Sequence, residues 1–157
     1  MKKKIIAIIG TFVLSLGIIP VIPIETVQAK EATSVDGSLL LDEAEESTGQ
    51  MLAETRGQYL QTGSSRIVKS GTGKITVGGT TIAQKQVESI QVSVMVERLV
   101  NGNWVSYTSW SVSKNNAYSI STSKTLTVPR GYYYRVRSMH NANSDRSTSN
   151  TNALYVS

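Results

Sequence analysis

From Ser64 to the C-terminus the chain alternates apolar and polar residues with a period of two, and that alternation constrains the fold more than any other feature. Ile90, Val92, Val94 and Val96 fall on one side of the chain, and Gln91, Ser93, Met95 and Glu97 on the other. Only an extended strand separates neighbours in this way. Val, Ile, Thr, Tyr and Ser dominate the region, turn residues recur every eight to twelve positions, and no helical period appears. Strands are predicted over 65–69, 73–77, 80–84, 88–100, 104–113, 117–128, 132–140 and 148–156. Gly78-Gly79, Asn101-Gly102, Asn115-Asn116 and Pro129-Arg130-Gly131 supply the turns between them. The expected fold is all-β, a single antiparallel β-sandwich over residues 64–157.

Two registers need a decision. In 132–140, one register buries Tyr132, Tyr134 and Val136, and the other buries Arg135 and Arg137. Unpaired buried charge costs several kcal/mol (roughly 3–5), so the first is favoured and Tyr133, Arg135 and Arg137 are expected on the outer face. At Asn101-Gly102, a two-residue loop pairs Leu99 with Trp104 and turns both tryptophans outward. A three-residue loop pairs Val94 with Trp110 and Val92 with Val112, facing the core. Burying an indole is worth roughly 5 kcal/mol, so the longer loop is expected, with Trp110 inward and Trp104 near one end.

The N-terminus reads differently. Lys2, Lys3 and Lys4 precede an apolar run over 5–24, broken by Pro20 and Pro23, and Val27-Gln28-Ala29 places small residues at the positions a signal peptidase reads. Residues 1–29 are expected to be an export signal cleaved after Ala29. The product would be secreted or associated with the cell wall, touching the membrane only through the leader. The chain has no cysteine, which excludes disulfide staples and a lipid-modified cysteine anchor.

Charge divides the remainder. Lys30 to Ser64 carries two basic and seven acidic residues, net −5, whereas Ser65 to Ser157 carries eleven basic and three acidic ones, net +8. Residues 30–63 have little aromatic content and no sustained period, so they are expected to be a mostly disordered acidic linker or a propeptide.

The order Leu126-Thr-Val-Pro-Arg-Gly-Tyr-Tyr-Tyr-Arg-Val-Arg137 resembles a corner of immunoglobulin and fibronectin type III domains, where a tyrosine ties back across the turn. More closely, the region from Arg56 to Ser157 resembles an uncharacterised family of small secreted proteins of Gram-positive bacteria. Glu97-Arg-Leu-Val-Asn-Gly-Asn-Trp104, Gly131-Tyr-Tyr-Tyr-Arg-Val-Arg137 and the glycine-rich stretch 71–79 carry that likeness. The resemblance implies export and a β domain, and no activity.

Reactive groups are few. His140 is the only histidine, and a triad with Asp145 and one of many serines carries no weight without geometry. Glu88 and Glu97 sit on opposite faces of one predicted strand, unlike a glycosidase pair. Asn141, Asn143 and Asp145 offer one carboxylate, too little for calcium, and zinc would have one histidine and no thiolate. No catalytic residue, metal or cofactor is therefore expected. The basic exterior is the better lead: Tyr133, Arg135, Arg137, Trp104 and Tyr107 are the candidate ligand-binding residues. An anionic wall polymer or glycan is the expected partner; nucleic acid is not, since the leader removes the chain from it. The alternative is a cationic antimicrobial or toxin-like protein, released by trimming near Gly57.

Overall fold

The computed structural model describes residues 33–52 and 57–157. The expected leader, with its cleavage site at Ala29, lies outside them. Among the described residues nine strands follow in order: β1 (Ser34–Val35), β2 (Ser38–Leu41), β3 (Glu46–Gln50), β4 (Leu60–Gly71), β5 (Lys74–Val100), β6 (Asn103–Thr127), β7 (Tyr132–Ala142), β8 (Asp145–Asn150) and β9 (Ala153–Val156). Strands take up 79% of the described residues and no helix occurs among them, so this part of the protein is all-β.

The strands join in one sheet, ordered β1-β2-β9-β7-β5-β4-β3, with β6 on β5 and β8 on β7. A two-sheet antiparallel sandwich was expected. The observed sheet is continuous and mixed, because β2 runs parallel to β9 through Leu40↔Ala153 and Leu41↔Leu154. The reason lies in β5. Gly78-Gly79 does not turn the chain; it sits inside a 27-residue strand. Residues 74–83 of β5 pair with β4, and residues 90–98 pair with β7, while β6 follows β5 along both stretches. Between Ile82↔Ser119 and Val87↔Ala117, four residues of β5 stand opposite Tyr118 alone. That excess bends the hairpin, as bulges do, and curls the sheet into a half-barrel.

The curl brings β4 against β7 and β8 and encloses the core. Ile67, Ile75 and Val77 from one half meet Val92, Val94, Val96, Tyr134, Val136, Leu154 and Val156 from the other. A second cluster fills the bend: Met51, Leu60, Ala83, Val87, Ile90, Ala117 and Ala142. Asp145 closes this end by accepting hydrogen bonds from the backbone N–H of Tyr59 (2.5 Å) and Leu60 (3.0 Å). Asn141 donates to Gln91 and Asn143 accepts from the Ser89 N–H, so the oxygen-rich loop serves as hydrogen-bonded turn chemistry.

The turn at Asn101-Gly102 has two residues, not three. Both take positive φ (50° and 78°), and Leu99 pairs with Trp104. Yet Val94 pairs with Trp110 and Val92 with Val112. A bulge reconciles the two, since the register shifts between Val96↔Thr108 and Glu97↔Ser106 and leaves Tyr107 as the extra residue. The local preference of Asn-Gly and the inward placement of Trp110, partly buried against the core, are both met. Asn115-Asn116 marks the bend within β6, with Asn116 at φ 51°, and Gly131 (φ 84°) turns the chain into β7. Tyr134 Oη donates to the Pro129 carbonyl at 2.7 Å, tying β7 back across that corner.

The acidic segment is part of the sheet. The expectation of disorder over 30–63 fails where β1, β2 and β3 form, because those strands have partners the segment alone does not reveal. Asp36 and Gly37 turn β1 into β2 at φ 47° and 75°, the Asp-Gly hairpin chemistry. β2 then adds to β9 and β3 to β4. Ser47 Oγ accepts from the Asn152 N–H, and Gly49 passes so close to the Asn150 carbonyl that any side chain there would collide.

Candidate functional site

The outer face of the half formed by β5, β6, β7 and β8 carries most of the residues expected to bind a ligand. Arg135 was expected in the open; it is 0% exposed. Its Nε donates to Glu97 Oε2 (2.7 Å), Nη1 to the Asp36 carbonyl (2.9 Å) and Ser38 Oγ (3.1 Å), and Nη2 to Asp36 Oδ2 (2.8 Å). The Trp104 ring lies 4.2 Å from the guanidinium and donates its indole N–H to the Val35 carbonyl. The β1–β2 hairpin therefore folds over this face and takes up the arginine's donors. The favoured register holds, with Tyr134 and Val136 inward and Arg135 outward, but the hairpin covers the arginine and its charge is paired rather than exposed.

The neighbouring residues are drawn into the same arrangement. Arg137, 38% exposed along its side chain, reaches Asp36 Oδ2 at 3.1 Å. The two guanidinium groups, with the Arg135 hydrogen bond first, hold the Asp36 carboxyl below its usual range. Tyr133 donates its hydroxyl to Asp42, and its ring packs against Tyr155 at 5.2 Å. That hydrogen bond pushes the phenol up to about 12. Tyr107 stands apart, edge-on to Tyr134 at 5.8 Å, with its hydroxyl on the Thr127 carbonyl. Arg135 and Arg137 thus converge on Asp36, with Trp104 stacked on Arg135 and bonded to Val35, while Tyr133 turns to Asp42 and Tyr107 to neither.

His140 lies on the opposite face of β7, inside the curl, and is also 0% exposed. Its Nδ1 is 2.9 Å from Thr81 Oγ1 and its Nε2 is 2.8 Å from Ser149 Oγ. Ser149 in turn meets Ser65 Oγ at 2.6 Å. A side chain at Gly63 would strike the imidazole ring, so the glycine makes room for it. Burial lowers the His140 pKa to about 4. Asp145 spends its carboxylate on the Tyr59 and Leu60 amides. The histidine and the aspartate are therefore committed to different networks, and the triad drawn on paper does not assemble.

The half formed by β3, β4, β5 and β6 presents a different outer face. Cross-strand register lines up three rows: Gln50, Ser64, Thr80 and Ser121; Thr48, Arg66, Gly78 and Ser123; Glu46, Val68, Thr76 and Thr125. Hydroxyls dominate, and Thr76 bonds both Ser70 (2.6 Å) and Thr125 (2.9 Å). Arg66 bonds Glu46 at 2.6 Å and is 60% exposed. A trough of about 320 Å³ runs over the middle of this array. A side chain at Gly78 would collide with the Thr122 carbonyl, so the floor there stays bare backbone. Strand spacing of about 4.8 Å sets the array at roughly 14 Å across four strands. The sequence reading missed this face. Its signal was the alternation Ser119, Ser121, Ser123, Thr125, Thr127 in β6, a run of hydroxyls on one side of a strand.

Among the described residues no three His, Asp, Glu or Cys side chains come together as a metal site. No curated protein matches the chain. A family profile covers residues 28–156, the acidic segment and the curled sheet alike, and by that match the chain belongs to DUF6147, a family of unknown function.

Proposed function

We propose that the protein is an exported, non-enzymatic β module that binds a glycan or hydroxyl-rich wall polymer through the outer face of β3–β6. The trough across Ser64, Thr80, Ser121 and Ser123, with Arg66 beside it, is the observation that carries this reading. Hydroxyls held at fixed spacing on paired strands keep their geometry without a ligand, so little ordering cost opposes binding. Polar convergence over a concave surface suits a polyhydroxylated chain. The reading of the sequence placed the ligand on Tyr133, Arg135, Arg137, Trp104 and Tyr107. The β1–β2 hairpin takes up most of those polar groups, so the proposal moves to the other face. Export rests on the leader, and the immunoglobulin-like likeness is left to the tyrosine tie at Pro129.

The alternative, an acidic propeptide masking a cationic domain, draws on Asp36 and Asp42 meeting Arg135, Arg137 and Tyr133. Trimming near Gly57 would remove three strands and uncover a buried arginine, so we propose that the segment is retained.

Pull-down with purified cell walls tests the main reading. Retention should survive about 0.5 M salt, because Glu46 already offsets Arg66 and screening acts on net charge. A Thr80→Ala, Ser121→Ala, Ser123→Ala variant should lose it. Retention that salt abolishes and the triple variant keeps would reduce the interaction to nonspecific charge and overturn the proposal.

A further inference from the structure

The half-barrel leaves one long edge. On one side β3 approaches β8, where Gly49 crowds Asn150 and Ser47 bonds Asn152. On the other, β6 pairs as a strand with β5 alone among the described residues, over 25 residues. Such an edge is a template for another strand. Residues 108–115 keep an unbroken register with β5 between the Tyr107 bulge and the bend. They read Thr-Ser-Trp-Ser-Val-Ser-Lys-Asn, without proline, glycine or acidic residues.

We infer that this stretch pairs with the same stretch of a second copy, antiparallel about a two-fold axis at Ser111. In that register Trp110 faces Val112 of the second copy, Ser109 faces Ser113, and Thr108 faces Lys114. Aromatic against β-branched and hydroxyl against hydroxyl are favourable cross-strand pairs. The two Lys114 side chains lie six positions apart, roughly 20 Å, so no like charges meet. Seven paired residues per copy exchange about six to eight backbone hydrogen bonds.

The other half of the edge, residues 119–127, is guarded. A two-fold axis at Ser123 would place the two Lys124 side chains on diagonal positions roughly 7–8 Å apart, and like charges at that range repel. Lys124 also lies 4.5 Å over the Trp110 ring of its own chain, which keeps the ammonium near the edge. Charge therefore disfavours the register centred on Ser123. The interface is self-complementary and closes as a dimer rather than a filament. Each copy keeps its β3–β6 face, so a dimer would offer a polymer two such faces and the gain that comes with two-point attachment.

The chain contains no cysteine, so a single engineered thiol reports cleanly. Ser111→Cys, oxidised in solution, should give a covalent dimer, because directly opposed residues come within reach of a disulfide. Ser123→Cys should not. Sedimentation of the purified protein should show a reversible monomer–dimer equilibrium, and Ser111→Lys should weaken it at least ~10-fold with unchanged far-ultraviolet circular dichroism. Monomer at every concentration, crosslinking at Ser123 instead of Ser111, or open-ended oligomers would each overturn the inference. Wall retention is read separately, so failure of dimerisation leaves the proposed ligand site untouched.

Discussion

Arg135 and His140 sit five residues apart on β7, both fully buried, and the fold makes room for them by opposite means. Arg135 faces outward and keeps its charge. The chain brings two acids, a hydroxyl and an indole to it: Glu97 from β5, Asp36 and Ser38 from the N-terminal hairpin, Trp104 from β6. His140 faces inward and stays neutral. The chain clears space with Gly63 and supplies two hydroxyls, Thr81 and Ser149. A cation that cannot shed its proton needs partners from several strands, whereas an imidazole can lose its charge and be packed as a polar core residue. The first solution makes a distant segment indispensable. The second makes glycine and serine indispensable.

The comparison can be broken most severely at Arg135. Replacing it with Ala leaves the buried Glu97 carboxylate with only the longer Arg137 contact at 3.9 Å, and should cost about 3–5 kcal/mol in urea denaturation. An Arg135→Met, Glu97→Leu double variant should recover much of that loss, since apolar isosteres can replace a buried pair. A loss under ~1 kcal/mol for the single variant would mean that the charge is not held as described.

Next in size is Gly63→Ala. The new methyl meets the imidazole of His140 and should cost about 1–3 kcal/mol. In a His140→Ala background the penalty should shrink, giving a coupling energy of at least ~1 kcal/mol. Additive losses would separate the glycine from the histidine and break the inward half of the comparison.

Acid should expose the same difference. The His140 pKa is about 4 folded against an ordinary 6.5. The unfolded chain then binds the proton first as pH falls, so stability is full above 6.5 and declines between 6.5 and about 4. The decline is at most about 3 kcal/mol, and His140→Gln should flatten it. A thermal-melt series from pH 7.5 to 4.5 reads both chains.

Asp36 contributes in another window. Its carboxyl is held below 3.8, so its stabilisation is present above 3.8 and is lost only as pH falls further. Asp36→Asn, exposed at the hairpin tip, should lower the melting temperature less than any variant above.

The same contrast separates what the sequence makes legible from what it hides. Alternation over 90–97 is visible because side-chain period is a local property, and Ile90, Val92, Val94 and Val96 are buried as expected. The Tyr134 tie and the turn at Pro129–Gly131 follow from neighbouring residues. Arg135 is illegible because its acceptor at Asp36 lies ninety-nine positions away. The hairpin that carries Asp36 did leave a local mark, the Asp36-Gly37 pair between Ser34-Val35 and Leu39-Leu40-Leu41, outweighed by the acidic composition around it. The curl of β5 was hidden for a different reason. Gly78-Gly79 is turn chemistry by itself, yet here the glycines admit close approach: a side chain at Gly79 would press on Val92, Val94 and Ser138. The turn falls only at 71–73, the break expected between 65–69 and 73–77, where Gly71 and Gly73 take positive φ. The Tyr107 bulge satisfies a turn preference and a packing preference that a regular hairpin cannot satisfy together.

The central claim is that the acidic segment completes the sheet and neutralises its buried arginine. Thermal unfolding of a chain beginning at Gly57, beside one beginning at Lys30, tests it directly. The longer chain should melt cooperatively, and the shorter one, without β1, β2 and β3 and with Arg135 and Glu97 uncovered, should show no cooperative transition above 25 °C. A shorter chain that melts cooperatively at the temperature of the longer one would contradict the account.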